Sequence, residues 1–158
     1  MADNVYLGNP NLKKANTPIE FTQEQIAEFI KCKQDPVYFA QNYVKIVSLD
    51  EGLVPFKPYD FHENRFNICK MPRQTGKSTT CVSYLLHYAV FNDSVNIGIL
   101  ANKAATAREL LGRLQTAYEN LPKWMQQGII AWNKGSLELE NGSKILAAST
   151  SASAVRGM

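Results

Sequence analysis

Met71-Pro72-Arg73-Gln74-Thr75-Gly76-Lys77-Ser78-Thr79 joins an apolar run, Phe66-Asn67-Ile68-Cys69-Lys70-Met71, to an amphipathic stretch from 77 to 91. The run reads as a strand and the stretch as a helix with Val82, Leu85, Leu86 and Ala89 on its buried face. A loop entering a helix N-terminus converges several N–H donors on one point and adds the positive end of the helix dipole, which suits a polyphosphate. Gly76 lets the backbone approach phosphate oxygens because it has no Cβ. Lys77 can reach the β/γ-phosphates, and the Ser78 hydroxyl can ligate Mg²⁺. Arg73 either swings over the γ-phosphate as an arginine finger in cis or stands as a solvated arginine. Arg73, Gln74, Thr75, Gly76, Lys77, Ser78 and Thr79 are therefore the candidate ATP-binding set, with Arg73 and Lys77 as catalytic candidates and Ser78 as the metal ligand. The strict Walker A pattern asks for Gly six positions before the Lys, where this chain has Met71, and a bare Gly-Lys-Ser also occurs on solvated surface turns. Context favours the phosphate loop, because a second strand and helix follow the first pair.

Asn92-Asp93-Ser94 breaks the first helix, and Val95-Asn96-Ile97-Gly98-Ile99-Leu100 is the next strand. Ala107, Leu110, Leu111, Leu114, Ala117 and Leu121 then recur at helical spacing. Strand, helix, strand, helix with short connections predicts a parallel sheet of α/β type. Pro122 starts a short Trp-bearing turn that Gly128 ends. Leu137 to Glu140 and Lys144 to Leu146 flank Asn141-Gly142 as a hairpin, although a two-residue turn would place Leu139 opposite Lys144 and leaves the register open. Upstream, Thr22 and Gln25 form a capping box, with Phe21 and Ile26 as a hydrophobic staple. Ile26, Phe29 and Ile30 give that helix its stripe. Asp35-Pro36 starts another helix carrying Val37, Phe39, Ala40 and Tyr43. Val44-Lys45-Ile46-Val47 alternates like a strand before the turn at Asp50-Glu51-Gly52. Residues 1–20 have no apolar period and read as a mobile tail or extended arm.

The 158 residues suit one domain, and 45% hydrophobic with 20% charged residues argues against wholesale disorder. There is no run of about 18 apolar residues to span a membrane, and the N-terminus does not read as a secretory signal. Cys32, Cys69 and Cys81 lack CxxC spacing, and His62 and His87 stand far apart, so no zinc site is read. The expectation is packed thiols, unpaired surface imidazoles and a reducing compartment. A net charge of +3 is compatible with nucleic-acid contact without demanding it. Lys103, Arg108 and Arg113, with Lys13-Lys14 on the tail, are the cations such contact would use, although a solvated face is the simpler reading. Trp124 and Trp132 read as packing anchors.

Several segments together resemble the large terminase subunit of T-even-like tailed phages. They are Asp35-Pro36-Val37-Tyr38-Phe39, Tyr43-Val44-Lys45-Ile46-Val47, Gly52-Leu53-Val54-Pro55-Phe56, Pro72 to Ser78, Trp132-Asn133-Lys134-Gly135-Ser136 and Ala154-Val155-Arg156-Gly157. The resemblance covers roughly 35–157, and that family tolerates a non-Gly residue where Met71 stands. It implies an incomplete P-loop sheet of the ASCE/RecA-like kind with flanking helices and an N-terminal helical segment. It implies the N-terminal ATPase of a motor that drives double-stranded DNA into a capsid, using ATP and Mg²⁺. Portal protein and small terminase subunit are the implied partners, in a ring on the portal, with no membrane involved. The implied location is the host cytoplasm and, transiently, the procapsid portal. By position Lys77 is the Walker A lysine, Ser78 the magnesium ligand and Arg73 the cis arginine finger. Arg156 lies just upstream of the expected Walker B strand. The expected organisation is a flexible arm (1–20), a helical lid subdomain (21–61) and a partial P-loop domain (62–158) without Walker B or nuclease. No apolar run ending in Asp-Glu follows the hairpin, so weak nucleotide binding, little hydrolysis and poor solubility are expected. Tyr59-Asp60-Phe61 runs directly into His62-Glu63-Asn64-Arg65, where the family has a Tyr-Gln pair, so no adenine-recognising residue is assigned. The alternatives are a superfamily-2-like helicase or other nucleic-acid-stimulated ATPase, and a non-enzymatic truncated or intein-interrupted remnant.

Overall fold

The computed structural model describes residues 4–48, 52–55 and 76–150. The expected strand 66–71, the loop residues Arg73, Gln74 and Thr75, the stretch from Tyr59 to Arg65 and the segment around Arg156 lie outside them. Among the described residues, four helices and eight strands follow in chain order: β1 (Val5–Tyr6), β2 (Asn9–Lys13), α1 (Gln23–Gln34), α2 (Pro36–Tyr43), β3 (Lys45–Ser48), β4 (Gly52–Pro55), α3 (Lys77–Phe91), β5 (Asn96–Ala101), α4 (Ala104–Glu119), β6 (Ile129–Trp132), β7 (Ser136–Leu139) and β8 (Lys144–Ser149). Among the described residues no helix is long and apolar enough to cross a membrane.

The local signals hold where one turn of chain decides them. Thr22 caps α1, its Oγ1 accepting Gln25 N–H at 3.2 Å while Gln25 Oε1 accepts Thr22 N–H at 3.1 Å. Asp35 caps α2, its Oδ1 accepting the N–H groups of Val37 and Tyr38 at 2.9 Å, with Pro36 at the first helical position. Of the stripe expected on α1, Phe29 packs against the core on Phe91, with ring centroids 5.0 Å apart, while the two isoleucines do not. Ile26 and Ile30 are exposed, and Phe21 sets its ring against Phe29 instead of forming a buried staple.

The central sheet has the order β5-β8-β7-β6. It is mixed: β5 and β8 are parallel, whereas β7 runs antiparallel to both β8 and β6. Among the described residues the sheet is therefore mixed, with β5 and β8 its one parallel pair, because β6, β7 and β8 follow one another through short turns, which only antiparallel neighbours permit. The expected pairing of strand 66–71 lies outside the described residues. The register of β7 and β8 pairs Leu137 with Ile145 and Glu138 with Lys144. Leu139 meets Ser143 rather than Lys144, its N–H donating to the Ser143 carbonyl at 2.9 Å. A three-residue loop, Glu140-Asn141-Gly142, makes this possible, and its last residue needs glycine because φ is +80° there. Leu137, Leu139 and Ile145 are all buried as a result, while Lys144 and Glu138 form an ion pair at 2.9 Å. Ile97, Ile99 and Ala147 are buried with them. On the alternate positions Leu100 is 43% exposed, so the sheet is closed on one face only among the described residues.

The closed face meets α4, which buries Ala107, Leu111, Leu114 and Ala117 at the predicted spacing. Next come α3 on α4, α2 on α3 and α1 on α2. Phe39, Phe91 and His87 form an aromatic cluster between α2 and α3, with ring centroids 4.8–5.5 Å apart. His87 is therefore buried, contrary to the surface imidazole expected, and its Nε2 lies 2.9 Å from the Cys32 carbonyl oxygen. Cys32 is packed, whereas Cys81 is exposed on α3 and not packed as expected. Trp124 and Trp132 do pack, against Tyr43 and Tyr118.

Two titrations make the fold sensitive to acid. Burial holds the His87 imidazole below its ordinary value, against the pull of the Cys32 and Lys33 backbone and the more distant Asp35 carboxylate. Hydrogen bonds from Tyr38 and Tyr43, at 2.8 and 2.9 Å, hold the Glu28 carboxyl below its usual range and bolt α1 to α2. For His87 both states are neutral well above about pH 6.5, and as pH falls the unfolded chain takes the proton first. For Glu28 the stabilisation is full above the unfolded carboxyl value near 4.5 and is lost as pH falls through the lower folded value. The urea midpoint should therefore fall in two stages, the first below about pH 6.5 and the second below about pH 4.5. His87→Phe should remove the first stage. A wild-type midpoint flat between pH 7 and 5 would contradict the role given to His87.

The N-terminal residues are not a free tail over the described stretch. β1 and β2 pair antiparallel, and Leu12 is 1% exposed. Lys13 is buried and its Nζ lies 3.0 Å from Glu140 Oε1. Glu140 Oε2 accepts the Asn16 N–H at 2.9 Å. Burial works against charge on Glu140, but backbone bonding at Asn16 and Gly128 and the Lys13 ammonium outweigh it and lower its pKa. Lys13 is therefore committed to the interior, which removes it from the candidate nucleic-acid contacts.

Candidate functional site at the N-terminus of α3

Gly76 caps α3 in the left-handed conformation, φ +77° and ψ 11°. That positive φ by itself favours glycine at 76, and a Cβ built there would meet nothing within 4 Å among the described residues. The Gly76 carbonyl accepts the Thr80 N–H at 2.9 Å, the first intrahelical bond of the turn. The amides ahead of Thr80 belong to the first turn, which has no intrahelical acceptors to offer them. No side chain caps this end, and no acidic residue stands in its first turn. The positive end of the helix dipole is thus not offset by a carboxylate of its own turn. Gly76 and Ser78 are exposed, Lys77 and Thr79 half-buried, and Thr80 buried.

Of the seven candidate residues, the structure brings Gly76, Lys77, Ser78 and Thr79 onto one helical turn, while Arg73, Gln74 and Thr75 lie outside the described residues. The four that are placed offer amide donors, one ammonium and two hydroxyls. That donor set fits an anion, and the hydroxyls are hard oxygen ligands of the kind Mg²⁺ accepts beside phosphate oxygens. Among the described residues there is no group of three or more His, Cys, Asp or Glu side chains that could hold a metal ion by themselves.

The far end of α3 is fixed by groups with no local signature. Asn141 Nδ2 donates to the carbonyls of Ala89 and Asn92, both at 2.9 Å, and Gln127 Nε2 donates to Val90 O at 3.0 Å. Ser143 Oγ adds a bond to Asn92 O at 2.9 Å. The turn that joins β7 to β8 therefore also satisfies the last carbonyls of α3, which ties the helix carrying Lys77 to the end of the sheet. Sequence reading took Asn141 for a turn residue alone, because its second partners lie about 50 positions away. Thr80 was also missed, although it shares the buried phase of α3 with Ser83 and His87. A polar side chain in a buried helical phase was the available signal.

On α4, Lys103 stands at the N-cap, and Arg113 is engaged by Glu109 at 2.7 Å. Compared with known protein families, residues 68–158 match the one described as terminase large subunit, T4likevirus-type, N-terminal. The match takes in α3, α4 and the whole four-stranded sheet, more than half of the chain.

Proposed function

The chain belongs to the T4likevirus-type terminase large-subunit family, through its N-terminal region, and from that premise we propose that the α3 site binds ATP with Mg²⁺ for a DNA-packaging motor. The observation that carries the reading is the left-handed Gly76 opening a helix whose first turn holds Lys77 and Ser78 and no carboxylate. The first-turn amides orient the polyphosphate, and Lys77 neutralises charge on its terminal groups. Ser78 supplies a hydroxyl oxygen to the cation. The cation so held would supply positive charge that offsets the charge developing in phosphoryl transfer. Arg73 in the proposed role stabilises the same charge from the loop. The motor reading further assigns double-stranded DNA as the translocated polymer, and portal protein and small terminase subunit as partners in a ring. The host cytoplasm and the procapsid portal are the site of action.

Titration of a fluorescent ATP analogue in the presence of Mg²⁺ tests the binding step. Wild type should bind saturably, and Lys77→Ala should lose about 10–100-fold in affinity, the range for a charge-assisted contact. Equal behaviour of the two proteins would remove the reading.

A further inference from the structure

Thr80 carries a polar group that the described fold does not use. The residue is 9% exposed, its Oγ1 is shut off from solvent, and that oxygen has no hydrogen-bond partner among the described residues. Buried hydroxyls are paired in the large majority of proteins, because leaving one unpaired costs free energy. Packing alone does not account for it, since a valine of the same shape would fill the space without a stranded polar atom.

The position of the hydroxyl gives it a use. Thr80 is the fourth residue of α3, one turn beyond the Gly76 cap. Side chains on an α-helix lean toward its N-terminus, so this one stands against the first turn, on the buried side. The Gly76 carbonyl already accepts the Thr80 N–H at 2.9 Å and keeps a second lone pair. Donation from a threonine hydroxyl to the carbonyl four residues back is a bond that helices tolerate.

We propose that Thr80 is a positioning residue of the α3 nucleotide site, whose hydroxyl closes onto the Gly76 carbonyl when a polyphosphate engages the first-turn amides, locking that glycine in its left-handed conformation. This rests on the nucleotide reading above. The unpaired hydroxyl weakens the fold before binding and strengthens binding when it pairs, so the two effects have opposite signs on removal.

The test uses the 158-residue chain, a fluorescent ATP analogue with Mg²⁺, and four proteins: wild type, Thr80→Val, Thr80→Ser and Lys77→Ala. Thr80→Val should melt no lower than wild type without nucleotide, yet bind about tenfold more weakly, equivalent to about 1.4 kcal/mol. Thr80→Ser should restore most of the affinity. Unchanged affinity in Thr80→Val, with loss in Lys77→Ala, would overturn the role of Thr80 and leave the site standing. A Thr80→Val protein that loses melting temperature and affinity together, unrescued by Ser, would show a structural role and overturn it too. Absence of binding by wild type would sink both the role and the site.

Discussion

Phe39→Ala should cost about 3–5 kcal/mol of unfolding free energy, the range for emptying a buried aromatic site. The side chain is fully buried where α2 crosses α3. Its ring meets Phe91 edge-on at 5.3 Å and 88°, tilts against His87 at 5.5 Å, and stacks on Tyr43 at 6.3 Å. Truncation removes the apolar burial and these ring contacts together, and the neighbours are held by two helices that cannot easily collapse into the space. Against the ~5–15 kcal/mol of a typical domain, such a loss is a large fraction of the whole. Phe39→Leu keeps most of the apolar mass and should lose less. Lys77 lies toward the other end of α3, about 15 Å from His87 and about 21 Å from Phe91 at the helical rise, so nucleotide affinity at a temperature where the variant is folded should match wild type. Urea unfolding followed by far-UV circular dichroism measures the effect. A midpoint within experimental scatter of wild type would mean that α2 does not brace α3 as described.

The difference between what the sequence reveals and what it conceals follows contact distance along the chain. The caps at Thr22 and Asp35, the buried phases of α3 and α4 and the glycine at 76 were all legible. Each depends on residues within about one or two helical turns. The β7–β8 register was half legible. The dipeptide Asn141-Gly142 signals a turn, but Glu140 joins the loop because its carboxylate is held by Lys13 and Asn16, more than 120 positions away. The antiparallel β7–β8 pair is legible from its hairpin signal, whereas β6 at Ile129–Trp132 carries no alternation that marks it before it pairs with β7. His87 was read as a surface residue, and only the convergence of Phe39 and Phe91 from separate helices buries it. At the candidate site, the helical turn that carries Gly76, Lys77, Ser78 and Thr79 is legible from local signals. Their anchoring through Asn141 and Gln127 is not, since a side-chain bond to a distant carbonyl leaves no periodic trace.

The N-terminal hairpin shows the same point in energetic form, and Gln126→Leu should expose it. Gln126 is 2% exposed and uses both ends of its amide. Oε1 accepts the Lys13 N–H at 3.0 Å, while Nε2 donates to Asn11 O at 2.9 Å, Leu121 O at 3.0 Å and Tyr118 O at 3.3 Å. One side chain therefore fastens β2 to the connection that follows α4. Leucine matches the volume and adds apolar surface, but it strands the buried Lys13 N–H and removes the donor shared by three carbonyls. Each buried group left unpaired costs about 1–3 kcal/mol, so the net loss should be about 3–5 kcal/mol after the apolar gain. The loss should be felt first at the hairpin, because Leu12 and the Lys13–Glu140 pair are its other main anchors. Hydrogen exchange at the Leu12 and Lys13 amides should accelerate well before the α3 and α4 amides respond. Gln126→Glu keeps the acceptor for Lys13 N–H but loses the donors and buries a charge, and it should also be destabilised. A Gln126→Leu protein with wild-type exchange at these two amides, and a midpoint shifted by less than about 1 kcal/mol, would show that Leu12 and the Lys13–Glu140 pair hold the hairpin without Gln126.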